Sequence, residues 1–130
     1  MAASFSDPPA PDKGVPRLID GYGNGGFRVG GEAISGSILV ATDGTVSAWS
    51  ADVSALTPES FTAVLALSPR PEILLVGCGE RAVFVPPPVR QGLREAGIVV
   101  DAMSTGAACR TFNVLIAEGR QVAAALIAVA

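Results

Sequence analysis

Ile73-Leu74-Leu75-Val76-Gly77-Cys78-Gly79 is a short apolar run that stops abruptly at two glycines flanking a cysteine. Four consecutive apolar residues without polar alternation predict a strand covered on both faces, the usual setting of a parallel strand inside an α/β layer. The run is therefore expected at the centre of a sheet. Open α/β sheets hold their ligands beyond the carboxyl ends of the strands, which makes Gly77-Cys78-Gly79-Glu80 a candidate cleft wall.

Downstream, Ala82-Val83-Phe84-Val85 reads as a further strand, closed by Pro86-Pro87-Pro88. Val89, Leu93 and Ala96 then recur at helical spacing and Gly97 supplies a stop, so the prolines stiffen a helix entry. Ile98-Val99-Val100-Asp101 is a second buried strand. The strand, helix, strand order implies a right-handed crossover and a parallel pairing. Ser104-Thr105-Gly106 leads into a helix over residues 107–118, with Ala108, Phe112, Leu115 and Ile116 as its buried stripe and Gly119 as its terminator. Residues 121–129 form a closing strand.

Upstream, Leu56-Thr57-Pro58-Glu59-Ser60-Phe61 carries a layered helix start, with Thr57 as cap, Pro58 in the first position and Glu59 at the positive dipole end. That helix should bury Phe61, Val64 and Leu65 and stop before Pro69. Residues 16–50 are β in character. Short apolar runs at Leu18–Tyr22 and Phe27–Val29 are separated by glycine-rich turns, and residues 34–42 and 45–50 flank Asp43-Gly44, which suits a type I′ hairpin turn. Trp49, the single tryptophan, reads either as a core anchor or as an interface residue. Residues 1–15, with Pro8, Pro9, Pro11 and Gly14 among serines and aspartates, are expected to be a disordered tail. Residues 16–130 then make one α/β domain, and a chain of this size can bury roughly two-thirds of its unfolded surface.

Hydrophobic residues make up 49% of the chain and charged residues 16%, leaving a sparsely charged surface with apolar area for a partner. Nine basic residues stand against twelve acidic ones with no block of like charge, which argues against nucleic acid. The N-terminus has neither the basic flank nor the apolar core of a targeting segment, and the apolar C-terminus is far shorter than the roughly twenty residues that span a bilayer. The expected location is cytoplasmic. Cys78 and Cys109 match no disulfide, paired-thiol or zinc spacing.

Gly21-Tyr22-Gly23-Asn24-Gly25-Gly26 spells the dinucleotide-binding G-x-G-x-x-G, but no helix opens at its third glycine, so the glycines read as turns. A composite site is the stronger candidate. If the strands ending at Gly77-Cys78-Gly79 and Ser104-Thr105-Gly106 are parallel near neighbours, both loops share one rim. Ser104 or Thr105 can cap the helix whose first N–H groups then favour an anion. Cys109, beside Arg110, is either a thiol of depressed pKa or a core residue on the same helical side as Phe112 and Ile116. Histidine is absent, which removes the commonest general base and transition-metal ligand. No catalytic residue, metal or cofactor is expected.

Ile19-Asp20-Gly21-Tyr22-Gly23 through the Phe27 strand, the strand ending Gly77-Cys78-Gly79, and above all Ser104-Thr105-Gly106-Ala107-Ala108-Cys109-Arg110-Thr111-Phe112-Asn113 with Glu118-Gly119-Arg120 resemble a family of small uncharacterised bacterial and archaeal proteins. Its eukaryotic relatives include a mitochondrial assembly factor of respiratory complex I. The resemblance implies an α/β fold in which a β-rich layer packs on a mixed sheet with helices, no established enzyme activity, and action through protein partners. The leading expectation is a non-enzymatic protein-binding domain. The alternative is a small-molecule or anion-binding domain using Gly77, Cys78, Gly79, Ser104, Thr105, Gly106, Cys109 and Arg110.

Overall fold

Two sheets and three helices make up residues 17–130, the part of the chain that the computed structural model describes. The expected tail at residues 1–15 lies outside the described residues. Strands β1 (Ile19–Gly23), β2 (Gly26–Val29) and β3 (Glu32–Ser35) form an antiparallel meander. Asn24 and Gly25 both take positive φ, 54° and 77°, which is the type I′ geometry that folds β1 onto β2. The G-x-G-x-x-G stretch is thus a hairpin.

The meander ends at Gly36, whose φ of 85° turns the chain out of the first sheet. Residues 34–42 are therefore two strands rather than the single one expected. β4 (Ile38–Ala41) pairs antiparallel with β5 (Val46–Ala48). Their turn also departs from expectation. Gly44 alone has positive φ, 90°, because the Asp43 carboxylate accepts from the Thr45 N–H at 2.9 Å and holds Asp43 in ordinary geometry. A three-residue loop with glycine in the left-handed position replaces the type I′ turn.

After 3₁₀ turns at Val53–Ala55 and Pro58–Phe61 comes a one-turn helix, α1 (Thr62–Leu65). The expected long helix is shortened to these pieces. Phe61 and Val64 are buried but Leu65 is exposed, since one turn presents only a narrow stripe. Trp49 is a core residue: it is buried, its indole N–H donates to the Ser60 carbonyl at 2.8 Å, and its ring lies 5.6 Å from that of Phe61.

The second sheet is completed by β6 (Ile73–Gly77), β7 (Val99–Met103) and β8 (Val122–Leu126), with α2 (Pro87–Glu95) between β6 and β7 and α3 (Thr105–Ala117) between β7 and β8. The order is β5-β4-β8-β6-β7, with β6 parallel to both β7 and β8, and β4 antiparallel to β8. This is the mixed sheet and β-rich layer that the resemblance implies. Two positions differ from the sequence reading. β6 is an interior strand, but the middle place belongs to β8, whose Val-Ala-Ala-Ala-Leu run is buried on both faces and is small enough for layers to close on it. β7 is an edge, with Val99 64% exposed, so it is not the doubly buried strand expected.

Residues 82–85 are not a strand. β7 already occupies the place beside β6, and the segment instead lies over the core, with Val85 buried, Val83 half-buried and Phe84 turned outward. Alternate residues of the sheet feed two cores. Leu74, Val76, Val100, Ala123 and Ala125 meet α2, Phe61 and Trp49 on one face. Leu75, Val122, Ala124 and Leu126 meet Phe112 of α3 and, through Ile19, Phe27 and Val29, the small sheet on the other.

Candidate functional site

Parallel pairing of β6 and β7 brings their carboxyl ends to one rim, as the sequence reading required. The Cys78 N–H donates to the Met103 carbonyl at 2.8 Å, and the Thr105 N–H donates to the Gly79 carbonyl at 2.7 Å. Ser104 is the cap of α3, its Oγ accepting from the Ala107 N–H at 3.3 Å. The two loops are thus directly bonded.

What fills the space between them is Thr105, completely buried. Its Oγ1 accepts from the Gly79 N–H at 2.9 Å and donates to the Ile127 carbonyl at 2.7 Å, while the Ile127 N–H donates to the Gly77 carbonyl at 2.8 Å. One hydroxyl joins three chain segments. Gly77 is required by this closure, because a Cβ there would stand 2.9 Å from Leu126 Cδ2 and 3.1 Å from Thr105 Cα. At Gly106 the phenol of Tyr22 takes the room, its Cζ only 2.9 Å from where a Cβ would lie, and the Arg110 Nη1 donates to the Tyr22 Oη at 3.4 Å. Of the first N–H groups of α3, those of Thr105 and Ala107 are already engaged.

The two thiols point to opposite faces of the sheet. Cys78 continues the series of Leu74 and Val76 into one core and donates its S–H to the Val76 carbonyl at 3.5 Å. Cys109 packs with Ala108 and Phe112 in the other. Burial pushes the Cys109 thiol up to about 11, outweighing the opposing pull of Arg110. The neutral thiol is favoured, the reverse of what a nucleophile needs.

Two outcomes follow for Cys109. In the folded protein it should resist alkylation from about pH 6 to 9 and label only on unfolding. Between about pH 9 and 11 the unfolded chain loses the thiol proton while the folded chain keeps it, so stability falls with rising pH across that window. The contribution is complete below pH 9. Denaturant titrations should show wild type losing up to about 2–3 kcal/mol relative to Cys109→Ala by the top of the window. Rapid labelling near neutral pH would contradict the packing role.

Two residues outside the candidate site set, both present in the stretches that carry the resemblance, complete the region. Tyr22 reaches α3 from β1, and Asn113 of α3 grips the main chain of Ile19 through both ends of its amide, at 2.9 and 2.8 Å. Neither has a local sequence signature, since the contacts span 88 and 94 residues. Among the described residues no three His, Cys, Asp or Glu side chains gather as a metal-binding group.

Residues 19–127 match the family described as "Protein of unknown function (DUF498/DUF598)". The chain is 38% identical over 109 residues to NADH dehydrogenase [ubiquinone] 1 alpha subcomplex assembly factor 3 of Bos taurus, covering 84% of this chain and 59% of that protein. The chain thus spans about three-fifths of the length of this relative. An uncharacterized protein of Rhodobacter capsulatus is 34% identical over 109 residues, 84% of this chain and 82% of its own length. The crystal structure of an outer membrane protein from Bartonella henselae superimposes with a TM-score of 0.81 at 42% identity, covering 91% of this chain and 99% of that one.

Proposed function

Since the chain belongs to the DUF498/DUF598 family of proteins of unknown function, we propose that it is a non-enzymatic, assembly-factor-like domain that acts in the cytoplasm by binding another protein. The observation that carries this reading is the similarity over 109 residues, 84% of this chain, to an NADH dehydrogenase [ubiquinone] assembly factor. The filled rim supports it. Thr105 and Tyr22 occupy the place a small ligand or anion would need, and Cys109 is held neutral, so the residues Gly77, Cys78, Gly79, Ser104, Thr105, Gly106, Cys109 and Arg110 serve as the joint between sheet and helix. No helix among the described residues is long and apolar enough to cross a membrane.

The test is affinity capture of the tagged full chain, expressed at native level and crosslinked in the cell before lysis. One or a few proteins should be enriched reproducibly, with crosslinks to surface positions of this domain. Nothing above background from repeated captures would overturn the reading.

A further inference from the structure

Among the described residues β7 ends the five-stranded sheet, with no strand paired to its outer side. The N–H of Val99 and the carbonyl of Met103 bond toward β6, so by the alternation of a parallel ladder Val99, Asp101 and Met103 turn inward and Val100 and Ala102 present N–H and C=O groups off the sheet. One of those groups is already bonded. Arg90 of α2 donates from Nη1 to the Val100 carbonyl at 3.0 Å. One helical turn on is Arg94, and the two arginines with Pro87, Gln91 and Glu95 line an open trough of about 480 Å³. Glu95, bonded to the Gln91 amide, is its one carboxylate.

The two faces of the edge differ in chemistry. On the α2 side Arg90 reaches the Val100 carbonyl, and Arg94 stands one helical turn further along the same trough. On the α3 side Val99 is 64% exposed and Met103 half-buried, with the Asp101 carboxylate between them. A strand paired with β7 would place alternate side chains on these two faces. We infer that the β7 edge is a docking site for an extended segment of another protein that alternates acidic and apolar residues. Its carboxylates face Arg90 and Arg94, an apolar residue covers Val99, and Asp101 excludes acids from that second face. Arg90 gates the edge, exchanging the Val100 carbonyl for an incoming carboxylate and freeing that carbonyl for the incoming N–H. Until then its guanidinium blunts the edge against indiscriminate pairing.

The inference rests on the protein-binding reading and names its surface. The test is an amide NMR titration of the full chain with a capped peptide of about eight residues alternating glutamate and valine, a normal strand length. The control has lysine for glutamate. Expected are shifts and slowed exchange at Val100 and Ala102, affinity that falls with added salt, and at least about tenfold weaker binding in Arg94→Ala. Arg94 bonds no other side chain among the described residues, so this variant should leave the fold intact. Equal binding of the lysine peptide, or shifts away from β7, would overturn the inference. So would Val100 and Ala102 amides already protected without peptide, since the chain itself or a second copy would then cover the edge. If wild type captures a partner and Arg94→Glu captures it equally well, the edge is wrong while protein binding stands. Empty captures with wild type would count against protein binding itself.

Discussion

Thr105→Val should destabilise the protein by about 2–5 kcal/mol although it preserves the shape of the side chain. Valine fills the same volume at the closed junction but can neither accept from the Gly79 N–H nor donate to the Ile127 carbonyl. Two main-chain groups are orphaned in a place where the side chain itself sees no solvent, and each costs about 1–3 kcal/mol. Thr105→Ser makes the comparison decisive. It keeps both bonds and gives up one methyl group, a loss of about 1 kcal/mol. Urea unfolding should rank wild type above serine and serine above valine, and the Gly79 amide should exchange faster in the valine variant alone. The opposite ranking would mean that methyl packing, and not the hydroxyl, holds the rim together.

The junction shows how far local pattern can reach. An apolar run ending in glycine, a Ser-Thr-Gly after a second run and a helix between them made one shared rim conditional on parallel pairing of the two strands, and that pairing is observed. Nothing local says that the rim is closed. That depends on Ile127 and Tyr22 arriving from segments 22 and 83–88 positions away, the latter counted from Tyr22 to Thr105 and Arg110. Strand order fails for the same reason. Of the strand expected over residues 121–129, Val122–Leu126 is one, but its place between β4 and β6 is a long-range property that alanine and valine do not encode. Residues 82–85 mislead because an alternating Val-Phe-Val run looks the same whether it pairs with a strand or lies as a loop over a core.

The turns teach a narrower lesson. Asp43-Gly44 and Asn24-Gly25 are nearly equivalent as dipeptides, yet only the second places both residues at positive φ. At Asp43 the carboxylate finds the Thr45 N–H and fixes the alternative geometry. For Cys109 the helical spacing to Phe112 pointed to packing and the adjacent Arg110 to reactivity. Burial decides between them, since desolvation of a thiolate outweighs one exposed guanidinium.

Asn113→Asp should produce a defect that acid repairs. The Asn113 amide joins α3 to the small sheet by accepting from the Ile19 N–H at 2.9 Å and donating to the Ile19 carbonyl at 2.8 Å, as a neighbouring strand would. Asn113→Leu removes both bonds and should cost about 2–4 kcal/mol, with amide exchange accelerating in β1–β3 before the five-stranded sheet. Aspartate is the more informative change. It keeps the acceptor, but at neutral pH it turns a second carboxylate oxygen toward the Ile19 carbonyl, where a donor is needed. Protonation restores an O–H that can donate there. The folded state therefore favours the protonated acid and raises its pKa above the unfolded value of about 3.9. Linkage then has a definite sign: the variant's deficit against wild type is full at neutral pH and shrinks as pH falls through the raised folded-state pKa. Urea midpoints of the two proteins, compared at about pH 7 and again at about pH 4.5, should converge toward the acid end. A deficit that stays constant between them would show that the Ile19 carbonyl is not what the amide holds, and that the small sheet is secured to α3 by the packing of Ile19 and Phe27 alone.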